Sequence, residues 1–148
     1  MMYTKMLNID SAVDLAKLPA HLAVRLQQIK AGTVEVNQNH ISFTGGLFGH
    51  GRNRWDILIP FGFGDLTVES STRQLKYRLS FRQLFLAGTI MVGILTGFSY
   101  FAWWHSLSAL LAAPIWWIWL VGLNLLIGLP RFEKFVHSAV ETAPRTNQ

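Results

Sequence analysis

Hydrophobic and polar positions change their spacing twice along this chain, and each regime predicts a different kind of element. Leu18, Leu22, Leu26 and Ile29 recur at three- and four-residue intervals, the stripe of an amphipathic helix ending near Lys30. Pro19 suits the first turn of that helix, and Asn8 or Asp10 can cap a short turn over residues 12–17 before it. Ala31-Gly32 reads as its stop signal.

From Thr33 onward the period is two, and strands are predicted over 33–36, 40–44, 55–59, 65–69 and 73–80. Leu75, Tyr77 and Leu79 share one face, opposite Gln74, Lys76 and Arg78, the alternation of a half-buried antiparallel sheet. Asn37-Gln38-Asn39 and Ser70-Ser71-Thr72 are turn-like breaks. Pro60 has no N–H for a sheet ladder and ends a strand, and Phe61-Gly62-Phe63-Gly64 reads as a tight connection with two packed rings.

After Arg82 periodicity gives way to a continuous apolar run. Residues 83–130 form 48 consecutive positions without Asp, Glu, Lys or Arg. As one straight helix they would reach roughly 72 Å, against about 30 Å of hydrocarbon, so two spans and a tight turn are predicted, at about 84–104 and 107–129. A chain of this size has a single core and could not wrap two helices that are apolar on every side. Trp103 and Trp104 end the first span at headgroup level. The second span begins either at Leu107 or, with proline in its first turn, at Pro114, which would bring Trp116, Trp117 and Trp119 into the same aromatic belt.

The organisation that follows is α+β. A cytoplasmic domain over 1–82 carries one or two helices and a meander of four or five strands, followed by the hairpin at 83–130. Residues 131–148 are expected as a helical extension over 133–140 and a frayed polar tail.

Charge sets the orientation. Arg73, Lys76, Arg78 and Arg82 precede the first span, Arg131 and Lys134 follow the second, and the turn at His105 carries neither Lys nor Arg. The positive-inside rule then puts both termini in the cytoplasm, the expected location being a bacterial cytoplasmic (inner) membrane. No apolar core of signal-peptide length occurs in the first ten residues, which agrees with this start, and the absence of cysteine fits a reducing compartment. Residues 1–82 hold ten basic and six acidic side chains, a modest excess beside the membrane that suits anionic lipid headgroups rather than nucleic acid.

Candidate chemistry is sparse. Gly45-Gly46-Leu47-Phe48-Gly49-His50-Gly51-Arg52-Asn53-Arg54 places glycines beside two arginines, but lacks the lysine-serine and helix of a nucleotide loop. It reads as a hairpin loop or as a lipid contact, with Leu47 and Phe48 dipping into the interface and Arg52 and Arg54 meeting phosphates. The five histidines have no metal-ligand spacing, no serine lies in a GxSxG elbow, and Asp10 and Asp14 form an i,i+4 pair at a helix start rather than a catalytic dyad. No catalytic residue, metal or cofactor is expected.

Within the spans Gly93 and Gly97 form a GxxxG pattern for packing inside the hairpin or between copies, and Asn124 is placed for a contact with a partner or a neighbouring carbonyl. The expected function is a non-enzymatic accessory or scaffold component that binds a protein partner, or a further copy of itself, at the membrane surface. The alternative is an anionic-lipid-interacting protein using Arg52, Arg54, Arg73, Lys76, Arg78 and Arg82. A small oligomeric pore is the minor alternative, disfavoured by the absence of a polar helix face.

Overall fold

The computed structural model describes residues 1–45, 58, 60–102 and 107–146, the side chains of 107–110 excepted. The predicted strand at 55–59 (Leu58 apart), the loop arginines Arg52 and Arg54, Trp103, Trp104 and the His105 turn lie outside these residues.

The fold is α+β. Its elements in order are β1 (Met2–Asn8), α1 (Leu18–Gln28), β2 (Val34–Asn37), β3 (His40–Thr44), β4 (Phe63–Glu69), β5 (Gln74–Ser80), α2 (Arg82–Ala102) and α3 (Leu107–Glu141). All strand pairings are antiparallel, in the spatial order β1-β5-β4-β3-β2. Four of the five strands that the period-two pattern predicts form the meander β2 to β5, with β3 paired directly to β4; β1 is not predicted, and it flanks the sheet on the far side of β5. Its alternation is broken because Lys5 stands opposite Tyr77 on the inner face while Met2 and Met6 point outward. An inward charge on an edge strand blunts edge-to-edge pairing and erases the hydrophobic signature of a strand.

Helix α1 starts with Pro19 in its first turn and closes with two bonds, Ala31 N–H to Leu26 C=O at 3.0 Å and Lys30 N–H to Gln27 C=O at 2.9 Å. The left-handed residue is Lys30 (φ 59°), two positions before the glycine expected to stop the helix. Residues 12–17 make turns, with the Asp10 carboxylate accepting the Ala12 N–H at 3.2 Å.

Helix α3 decides the architecture. It runs unbroken through Pro114 and Pro130, so the second helix begins by Leu107, and its last three turns become part of the sheet domain. Phe132, Val136, Ala139 and Val140 are buried with Leu18, Leu22 and Leu26 of α1 against Ile41, Phe43, Leu66, Val68, Leu75, Tyr77 and Leu79 of the sheet. The extension expected as an appendage of the hairpin is thus a core element of the domain. The tail is tied as well: Asp14 N–H reaches Pro144 C=O at 2.9 Å, Thr146 N–H reaches Ala12 C=O at 2.8 Å, and Ala143 is buried.

Both α2 and α3 are long and apolar enough to cross a membrane, and only 22% and 11% of the residues in their most apolar stretches are buried. Phe98 (74% exposed), Leu111 (76%) and Leu126 (73%) show side chains that a soluble core helix would cover. The two helices pack as a hairpin along a four-residue stripe of α2, Leu84-Gly88-Val92-Thr96, all buried. Opposite it, the Trp117 indole N–H donates to the Thr89 hydroxyl at 3.1 Å, and the Phe85 and Trp117 rings lie 5.4 Å apart.

Candidate functional site

At the end of the sheet where β5 turns into α2, a single residue, the buried Phe81, separates strand from helix. Its ring lies 5.5 Å from Phe61, which meets Phe132 of α3 edge-on at 5.2 Å. Here Pro60 fits against Gly128 of α3, where a Cβ would come within 2.5 Å of the proline ring. Of the two aromatics expected to pack in this connection, Phe61 does so; Phe63 is 39% exposed on the outer face.

A polar clasp ties the sheet edge to α3. The Tyr3 hydroxyl donates to Glu133 Oε1 at 2.7 Å, and Lys5 Nζ pairs with Glu133 Oε2 at 2.8 Å. The hydrogen bond from Lys5, then that from Tyr3, holds the Glu133 carboxyl below the usual carboxylate range. The bond to Glu133 raises the Tyr3 hydroxyl, while burial, reinforced by the Glu133 charge, raises Tyr77. Because the folded-state pKa of Glu133 is depressed, its contribution is present above the unfolded value and lost as pH falls through the folded one. Glu133→Gln is therefore expected to cost roughly 1–2 kcal/mol near neutral pH, partial exposure limiting the effect. The gap to wild type should close in acid. Denaturation midpoints across that range check this, and a gap that stays constant would sink the assignment.

Of the basic residues singled out in the sequence, the described ones, Arg73, Lys76, Arg78 and Arg82, are spread along the length of β5 and into α2. Arg73 (φ 49°) sits in the turn at the far end of β5, where its Nη2 donates to the backbone carbonyls of Asp10, Ser11 and Val13 at 2.8, 3.0 and 2.9 Å. It is an anchor for the segment leading into α1. At about 3.4 Å per strand residue it lies some 25–30 Å along the chain from Arg82, the first residue of α2. Lys76 and Arg78 project between them from the outer face of the sheet, away from the core.

Nor do the span glycines do what their spacing suggests within one chain. A Cβ on Gly93 or Gly97 would meet none of the described residues within 4 Å, so neither makes a close approach to the described part of α3. The close approach is at Gly88, where a Cβ would lie 2.6 Å from Val121. Its signal was the four-residue spacing Leu84-Gly88-Val92-Thr96, which the more familiar GxxxG pattern overshadowed. Asn124 takes the neighbouring carbonyl: its Nδ2 donates to Leu120 C=O at 2.6 Å.

Tertiary packing creates a basic groove that no local pattern signals. Helix α1 runs antiparallel to α3, with His21 near Thr142 and Arg25 Nη2 donating to the Thr142 hydroxyl at 3.2 Å. Between the helices opens a groove of about 430 Å³ lined by Arg25, Gln28, Ile29, Arg131, Lys134 and Phe135. On the outer sheet face His40 bridges Asp65 at 3.3 Å and Thr67 at 3.1 Å, beside a shallow depression that Thr67, Glu69 and Lys76 line. Among the described residues no three His, Asp or Glu side chains converge as a metal site. No protein family, no curated protein and no solved structure matches this chain.

Proposed function

We propose that the protein is a non-enzymatic accessory component of a bacterial cytoplasmic membrane. Helices α2 and α3 cross the bilayer, both termini lie in the cytoplasm, and the outer face of the sheet engages a protein partner at the membrane surface. The observation that carries this reading is the continuity of α3, one helix that is apolar and largely exposed as far as Ile127 and a domain core element from Phe132. With the one-residue joint at Phe81, it holds the sheet at a fixed height and orientation above the hairpin. A domain on a flexible tether sweeps a volume, whereas this one addresses partners at one distance from the bilayer. Lys and Arg flanking the uncharged stretch, at Arg82 and Arg131, support the orientation.

The test is site-specific photo-crosslinking of the full-length protein in its native membrane. A probe at Thr67 on the outer face should give one defined adduct, and the partner should co-purify stoichiometrically. A probe at the exposed Val24 of α1 should not. Identical adducts at both positions, or none at Thr67, would remove the partner-binding reading.

A further inference from the structure

We propose that the groove between α1 and α3 binds the phosphate-bearing headgroup of an anionic phospholipid from the leaflet on which the domain sits. This rests on the reading above that both apolar helices cross a bilayer. Position is the first argument. Arg131 directly follows Pro130, the last residue of the uncharged stretch, and Lys134 is about one turn, roughly 4.5 Å, further along α3. The groove therefore opens where phosphates lie and rises from them toward Arg25.

Charge is the second. Among the described residues, three cationic side chains line the groove and no carboxylate does. Glu133, the acid nearest in sequence, faces β1 instead, held by Lys5 and Tyr3. The C-terminal end of α1 points the same way, and exposed carbonyls there would repel an anion. Those of Leu26 and Gln27 are occupied, accepting the Ala31 and Lys30 N–H groups. Chemistry of the floor is the third: Ile29 and Phe135, both half-buried, give the glycerol backbone of a lipid an apolar contact that a free anion would leave unused.

The experiment uses the full-length, delipidated protein in detergent, titrated with phosphatidylglycerol, phosphatidylcholine or inorganic phosphate, and reads first-site occupancy by native mass spectrometry. Phosphatidylglycerol should bind more tightly than phosphatidylcholine, and millimolar phosphate should not displace it. At about fivefold for each membrane-surface cation, the Arg131→Gln/Lys134→Gln pair should weaken phosphatidylglycerol binding roughly twentyfold. The Lys76→Gln/Arg78→Gln pair removes the same charge from the outer sheet face and should stay within about twofold of wild type. Lys134→Glu alone, at an exposed position, should also weaken binding, and circular dichroism confirms that each variant is folded.

Equal affinity for the two lipids, an unaffected groove pair, or equal losses from both pairs would overturn the proposal. Displacement by phosphate would reassign the groove to a soluble anion. Carbonate washing of native membranes separates the underlying reading: a protein that washes off is not a spanning hairpin, whatever the groove binds.

Discussion

Replacing Phe132 by alanine is expected to cost about 3–5 kcal/mol, enough to unfold a domain of ordinary stability or bring it close. Phe132 is fully buried, and its ring centre lies 5.2 Å from Phe61, 5.9 Å from Phe43, 6.0 Å from Tyr77 and 6.1 Å from Phe135. It therefore joins α3 to β3, to β5 and to the connection before β4, and no neighbour can collapse into its space without leaving another. Hydrogen exchange of sheet amides, in detergent or nanodiscs, would show loss of protection over β3 to β5. A change under about 1 kcal/mol would mean that α3 is not the core element its burial indicates. The same packing predicts that a fragment of residues 1–83 is unstable, because it lacks Phe132, Val136, Ala139 and Val140. Joining Phe81 to Arg131 through a Gly/Ser linker, with residues 82–130 deleted, should restore the fold. If the short fragment folds alone, the two-part core is refuted.

The second large effect is expected inside the hairpin. Gly88→Leu places its Cβ against Val121 and should force α2 and α3 apart, at a cost of about 1–3 kcal/mol or more for an insertion this large. Separation also breaks the Trp117–Thr89 hydrogen bond, which has no water to replace it within a bilayer. At Gly93 and Gly97 a Cβ would meet none of the described residues within 4 Å, and Gly93→Leu and Gly97→Leu should leave the hairpin intact. Disulfide trapping between cysteines placed on α2 and α3 reads the distance directly. Trapping that survives Gly88→Leu but fails in Gly93→Leu would reverse the assignment.

Local physics was sufficient for much of this protein. The uncharged stretch at 83–130 predicts two antiparallel apolar helices, because length and the absence of charge are properties of the chain alone. Period-two alternation predicts β5 and its inner face of Leu75, Tyr77 and Leu79, because side chains in a strand alternate whatever lies beside them. Pro19 marks the start of α1 for a similarly local reason.

What local pattern could not reveal depends on partners distant in sequence. Strand β1 was hidden because Lys5 faces inward to a carboxylate 128 positions later, so its alternation makes sense only once Glu133 is beside it. Arg73 reads as a surface cation until its turn brings it under the carbonyls of Asp10, Ser11 and Val13. The sequence pattern singles out Gly93 and Gly97 on α2 and passes over Gly88, whose close approach depends on Val121, 33 positions later in the chain. The basic groove joins Arg25 to Arg131 and Lys134, brought together by the antiparallel docking of α1 on α3. By itself, then, the sequence determined the two apolar helices and the alternating sheet, since hydrophobic periodicity acts within each element. Tertiary structure alone decided that α3 belongs to both, because Phe132 is buried only by residues that folding gathers from three separate strands and connections.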